Sequence, residues 1–195
     1  MSGLGRHTRR MEARVRRSAE AALGADYAER LPRDGDGSAA DGFRRVMAEH
    51  AAGVVVVTAD APHGPIGVTA TSFTSVSLDP PLVSFYIDDR SSTWQSLREA
   101  PAFAISILAD DQRELASRFA TRGIDRFAPP TRWQRGPEGL PLLHGAVGHV
   151  LCRKHDVLAV GDHWLVVGRV AQARVSAGAE APLLYHRGRY GRFSS

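Results

Sequence analysis

Residues 65–89 read PIGVTATSFTSVSLDPPLVSFYIDD, and the fold turns on this stretch. Ile66 to Val76 is rich in Thr, Ser and Val, Asp79-Pro80-Pro81 interrupts it, and Leu82 to Ile87 resumes as a largely apolar run. β-Branched residues suit a pleated, half-buried surface and consecutive prolines cannot continue a ladder of N–H donors, so two strands around a turn are expected. The middle of the stretch is poor core material: Thr69, Thr71, Ser72, Thr74, Ser75 and Ser77 surround a single Phe73. Small hydroxyl side chains let a polar ligand approach the backbone, whose N–H and C=O groups can read its edges. An exposed β-ribbon fits the same pattern, because Ser and Thr are common on solvent faces.

Working outward toward the C-terminus, Asp88 to Arg90 closes this hairpin, and Ser92 is placed to cap a helix from Thr93 to Glu99. Ser92 and Gln95 have the spacing of a capping box, and Trp94 and Leu97 fall on the inward side. Unpaired N–H donors at a helix start, joined by the hydroxyls of Ser91, Ser92 and Thr93 and by Arg90, would make a compact phosphate cradle. Ordinary capping accounts for Ser92 alone. Pro101 opens a strand, Ala102 to Leu108, followed by a helix from Asp111 to Ala120 with Leu115 and Phe119 on its buried side. Arg122 to Gly139 reads as a long loop carrying Phe127 and Trp133, of the kind that serves as a lid or a dimer contact. Leu142 to Cys152, Asp156 to Val160 and Trp164 to Val175 read as further strands, with Gly161-Asp162-His163 in a tight turn between the last two. Turn chemistry explains Gly161 and Asp162 and leaves His163 over. His144, His149 and His155 have no metal-site spacing, so no metal centre is expected.

Toward the N-terminus, Val54 to Thr58 reads as a strand and Asp60 to Pro65 as a turn. Asp41 suits the N-cap of a short helix with Phe43, Val46, Met47 and His50 on its apolar face. Pro32 to Asp41 reads as a flexible linker, and Met1 to Ala40 as an N-terminal extension ahead of a domain from 41 to 195. Met11, Val15, Ala19 and Ala22 recur at helical spacing within that extension, before Gly24.

Length and composition narrow the function classes. A chain of 195 residues suits one domain with its own core plus a tail. No apolar run approaches the roughly 20 residues of a membrane-spanning helix. Cys152 is the only cysteine, so no intrachain disulfide can form, and a reducing compartment, the cytoplasm, is expected. The net charge of +4 is spread along the chain, and six arginines between Arg6 and Arg17 form its one basic cluster. Nucleic acid is therefore not the expected partner. No GxGxxG follows a strand, which argues against a Rossmann nicotinamide-binding domain.

The run GVTATSFTSVSLDPPLVSF resembles the flavin-reductase-like family. Arg90-Ser91-Ser92-Thr93, Phe119-Ala120, Gly161-Asp162-His163, Gly168-Arg169-Val170, Pro182-Leu183-Leu184-Tyr185 and Gly188-Arg189-Tyr190 follow in that family's order. The resemblance covers about Phe43 to Phe193. It implies a mainly β (α+β) fold with short helices, an FMN-binding split β-barrel of Greek-key type, closed by the strand Leu183 to Tyr190. It implies NAD(P)H-dependent reduction of FMN or FAD by hydride transfer to N5, a homodimer, and a partner monooxygenase that receives reduced flavin, with an FMN-retaining oxidoreductase that passes electrons to another acceptor, or a non-enzymatic FMN-binding module, as the alternatives. The cofactor-binding residues implied are Thr69, Ala70, Thr71, Ser72, Arg90, Ser91, Ser92, Thr93, Phe119, Ala120 and Tyr190, with His163 beside the nicotinamide. The choices between NADH and NADPH and between FMN and FAD stay open at this level. Hydride transfer between two cofactors needs stacking and alignment and no protein acid, base or nucleophile, in keeping with a sequence that shows none.

Overall fold

The computed structural model describes residues 37–178 and 181–193. The chain divides into two units on either side of Met47. In the first, helix α1 (Gly37–Ala48) begins before Asp41. Asp41 is therefore no N-cap. It lies within the helix and pairs with Arg44 one turn on, at 3.2 Å, and the expected linker is helical from Gly37. Phe43, Val46 and Met47 are exposed rather than buried. The readings placed on Met1 to Asp36 lie outside the described residues.

The second unit is mainly β with two short helices. Its elements are β1 (Ala52–Gly53), β2 (Val55–Ala61), β3 (Gly64–Ala70), β4 (Thr74–Leu78), β5 (Pro81–Asp88), α2 (Ser92–Leu97), β6 (Ala102–Ile107), α3 (Arg113–Ala120), β7 (Trp133–Arg135), β8 (Pro141–Leu143), β9 (Gly148–Val160), β10 (His163–Val175), β11 (Leu183–His186) and β12 (Arg189–Arg192). Seven strands form one antiparallel sheet in the order β3-β2-β6-β9-β10-β5-β4.

Two expectations change here. Ile66 to Val76 is two strands, with β3 and β4 at opposite edges of the sheet and the chain crossing between them at Thr71-Ser72-Phe73. The seven strands do not close through the C-terminal segment. Leu183 to Tyr190 belongs to a hairpin, β11 and β12, that pairs with β1 in a separate three-stranded sheet. Arg187 and Gly188 make that hairpin's turn with φ of 48° and 75°, a conformation no strand residue adopts.

The main core gathers on one side of the sheet, from Val55, Val57 and Ala59 of β2, Val83, Phe85 and Ile87 of β5, Phe103 and Ile105 of β6, and Trp94 and Leu97 of α2. A second cluster forms on the other side of β2, where Val54 and Val56 meet Ala116 and Phe119 of α3, Phe127, Leu143 and Leu183. Residues 54–57 are apolar at every position because this segment is buried on both faces. Close packing fixes α3 over β3. A Cβ on Gly67 would lie 2.6 Å from the Phe119 ring, so only glycine lets the helix sit there.

Candidate functional site

A cleft of about 360 Å³ opens where β3, at one edge of the sheet, and the C-terminal end of β5 approach α2 and α3. Val68, Thr69 and Ala70 of β3, the crossing residues Thr71 and Ser72, and Tyr86, Ile87 and Asp88 of β5 line it. Ser91 and Ser92, Ala120, Arg122 and Arg126, and His163 complete the wall.

Each contribution is held by an identifiable contact. Thr69 Oγ1 donates to the Ala116 carbonyl at 2.6 Å and so ties β3 to α3. Ser72 Oγ accepts from the Tyr86 N–H at 2.9 Å and donates to the Tyr86 carbonyl at 3.2 Å, pinning the crossing segment to β5. His163 stands opposite Asp88 in the β5–β10 ladder, after a turn in which Gly161 takes φ of 62°. Its Nδ1 lies 2.7 Å from Asp162 Oδ1. The hydrogen bond from His163 holds the Asp162 carboxyl below its ordinary range, and a carboxylate there favours a proton on Nδ1.

Arg126, which sequence reasoning missed, is the most connected residue of the wall. Its Nη1 donates to the Gly67 carbonyl at 2.6 Å and to Thr93 Oγ1 at 2.7 Å, and its Nε and Nη2 donate to the Thr121 carbonyl at 3.0 and 2.8 Å. All these acceptors are neutral. Among the described residues no carboxylate lies within ion-pair distance of Arg126 or its neighbour Arg122. Burial, then the charge of Arg122, pulls the Arg126 pKa down. A half-buried guanidinium without a counter-charge, beside a second one, is electrostatically incomplete until an anion arrives.

Of the residues singled out in the sequence, Thr69, Ala70, Thr71, Ser72, Ser91, Ser92, Ala120 and His163 meet in this cleft. The others lie elsewhere. Arg90 turns back on Asp88, with its backbone N–H at 2.7 Å from Oδ1 and its Nη2 at 3.2 Å from Oδ2, and this contact holds the Asp88 carboxyl below its ordinary range. Thr93 is buried and its hydroxyl is taken by Arg126. Phe119 is fully buried edge-to-face against Phe127. Tyr190 packs on Tyr185 in the separate sheet and borders a different cavity with Arg187 and Arg189. The Ser92–Gln95 capping box does not form either. Ser91 is the N-cap, and it makes no side-chain capping bond.

The lining suits a phosphorylated ligand. Hydroxyls and two uncompensated cations match a dianion, and the small side chains of Ala70, Thr71, Ser72 and Ala120 leave room for a flat ring against backbone.

Comparison with known proteins agrees with this chemistry. The model of the flavin reductase like domain matches residues 47–194. An NADH:FMN oxidoreductase of Rhodococcus qingshengii is 43% identical over 157 residues, spanning 79% of this chain and 82% of its relative. Among solved structures, nitrilotriacetate monooxygenase component B from Mycobacterium thermoresistibile is similar with a TM-score of 0.76 and 33% identity, covering 80% of this chain and 87% of that one. An NADH:FAD oxidoreductase of Streptomyces globisporus, solved in complex with NAD and FAD fragments, has a TM-score of 0.75 and 37% identity, covering 84% and 98%. With three quarters of its length matched by the family model and relatives of this identity, the chain belongs to the flavin reductase like domain family.

Proposed function

We propose that this chain is an NAD(P)H:flavin oxidoreductase that reduces FMN or FAD by hydride transfer to N5 and supplies the reduced flavin to a partner monooxygenase. One observation carries the reading. Stretches far apart in sequence bring hydroxyls, small residues, one histidine and two arginines without a counter-charge among the described residues to a single cleft. Ser91, Ser92, Arg122 and Arg126 hold the phosphate, as charge-assisted donors to an anion do. The backbone of Thr69 to Ser72 faces the ring edge, where fixed donors favour the negative charge of the reduced state. His163, its tautomer set by Asp162, orients the nicotinamide. When bound, flavin and nicotinamide supply the hydride chemistry between them.

The finer architecture belongs to the same proposal. The sheet is read as a split barrel of Greek-key type, its seam running between β3 and β5 and crossed by Ser72. The domain is read as 41–195 with 1–40 as an extension, and the compartment as the cytoplasm. A homodimer is supported by Tyr86, Leu165 and Leu158, which fall in one register row across β5, β10 and β9, and by Val76, Leu78, Leu158 and Val160, which are exposed. Self-pairing of that face would cover the apolar row beside the cleft. Light scattering behind size exclusion tests it, and a monomer at working concentration would discard it.

The functional test is NADH and NADPH oxidation by the purified protein with no flavin, with FMN and with FAD. Turnover that saturates in added flavin is the expected result. No turnover under any of these conditions overturns the assignment.

A further inference from the structure

The loop that carries Ser91 and Ser92 and the turn that carries His163 are joined by contacts that no catalytic assignment uses. The Asp89 N–H donates to the Asp162 carbonyl at 3.1 Å. The indole Nε1–H of Trp164, the residue after His163, donates to Asp89 Oδ1 at 2.6 Å. The ring of Trp164 also stacks on Trp94 of α2, with centroids 5.3 Å apart and planes 25° from parallel, and Trp94 is buried. Ser91 is tied to the same loop by its N–H, which donates to the Asp88 carbonyl at 2.9 Å.

Asp89 makes this contact from an exposed position, and Arg90 next to it is occupied by Asp88. The indole N–H, which can only donate, is thus the side-chain partner the structure gives the Asp89 carboxylate. The packing of Trp164 on Trp94 does not require that bond. The indole bond adds a side-chain tie to the backbone bond and the ring stack that already join α2, the loop 88–91 and the β9–β10 turn, so that a shift of Ser91 and Ser92 on one ligand moves His163 toward or away from the other.

We infer that Trp164, through its bond to Asp89, is a positioning residue that couples occupancy of the anion end of the cleft to occupancy of the His163 end. The inference rests on the flavin reductase reading above. Coupling between two sites is reciprocal and is measured as the ratio of one ligand's affinity with and without the other.

The experiment measures the FMN dissociation constant by flavin fluorescence, with and without saturating NAD+, on the full chain. Trp164→Phe keeps the stacked ring and deletes the donor, and Asp89→Ala deletes the acceptor. A charge-assisted hydrogen bond supports a coupling of about tenfold in the unaltered protein. That ratio should fall at least about threefold in each variant, the backbone bond between Asp89 and Asp162 remaining, and fall no further in the double variant, since both remove the same bond. FMN affinity without NAD+ should change by less than about threefold, because neither residue lines the cleft. A variant that keeps the original ratio overturns the inference, as does an unaltered protein that turns over normally with a ratio of one. Failure of the unaltered protein to bind FMN at all overturns the reading of the cleft itself, and this inference with it.

Discussion

Replacing Arg126 with glutamine separates two jobs that one guanidinium performs. In the free protein it bridges the Gly67 carbonyl on β3, the Thr93 hydroxyl on α2 and the Thr121 carbonyl after α3. Glutamine is shorter and keeps at most one of these bonds. At least three of the four bonds are lost, and at about 1 kcal/mol net for each, once relief of the cation's burial cost is included, a loss of about 3 kcal/mol and a fall in Tm of about 6–12 °C are expected. The second job, proposed above, is electrostatic. A charge-assisted bond to a phosphate contributes about 1.5–3 kcal/mol, so FMN should bind about 10–150 times more weakly to Arg126→Gln. Riboflavin, which shares the ring and lacks the phosphate, should lose no more than about threefold, which isolates the electrostatic part from any loosening of the cleft. Parallel fluorescence titrations with both flavins, backed by Tm with and without FMN, distinguish these contributions, because a saturating ligand raises stability only through its affinity for the folded state. Equal weakening of FMN and riboflavin would show that Arg126 only braces the wall. Unchanged FMN affinity would remove it from the anion site altogether.

Three further outcomes follow from other parts of the structure. His163→Ala should raise the KM for the nicotinamide donor about tenfold, as loss of one hydrogen bond to a ligand allows, and leave flavin affinity nearly intact; equal loss of both in steady-state kinetics would make the residue part of the flavin wall. A Cβ on Gly168 would strike the Phe103 ring and come within 2.8 Å of Cys152 Cβ, so Gly168→Ala should cost about 1–3 kcal/mol in denaturant unfolding, and an unchanged midpoint would mean that the core there is slack. Burial pushes the Cys152 thiol up from 9.0 to about 12. The unfolded chain then loses this proton at lower pH than the folded one, so this group's contribution to stability falls as pH rises between those values. A thiol reagent at pH 8 should leave the folded protein unmodified, and rapid reaction without denaturant would contradict the burial.

Much of this arrangement could be read from local pattern. The turn marked by Asp79 and Pro80, the inward Trp94 and Leu97, and the tight turn at Gly161 and Asp162 are short-range features, and the structure shows each of them. What escaped depends on pairing at a distance. Nothing in the residues of Ile66 to Val76 marks a break at Thr71, because β3 is claimed by β2 and β4 by β5, and only those long-range ladders send the two halves to opposite edges. Arg126 sits among many arginines, and its role comes from acceptors 33 and 59 residues away. Two misplacements, by contrast, were open to a closer local reading. Arg90 follows two aspartates and folds back on the one two residues before it, Asp88. Thr93 shares the buried side of α2 with Trp94 and Leu97, which spends its hydroxyl inside the protein.

The position of the cleft follows from the way the sheet fails to close. β3 pairs only with β2 and β4 only with β5, so each has one edge without a strand partner. An unpaired edge exposes backbone donors and acceptors and invites unwanted pairing, which proteins ordinarily block with charge, proline or a covering element. Here α3 and the loop carrying Arg126 cover β3, and both are anchored to backbone carbonyls, Thr69 reaching Ala116 and Arg126 reaching Gly67. Ser72 spans the remaining gap through the Tyr86 backbone. Closing the seam with a direct β3–β5 ladder would consume the backbone groups of Thr69 to Ser72, and leaving it fully open would expose the core beneath Ile87 and Ala70. A seam bridged by one serine avoids both, and it leaves the small hydroxyl residues where a flat, phosphorylated ring can use them.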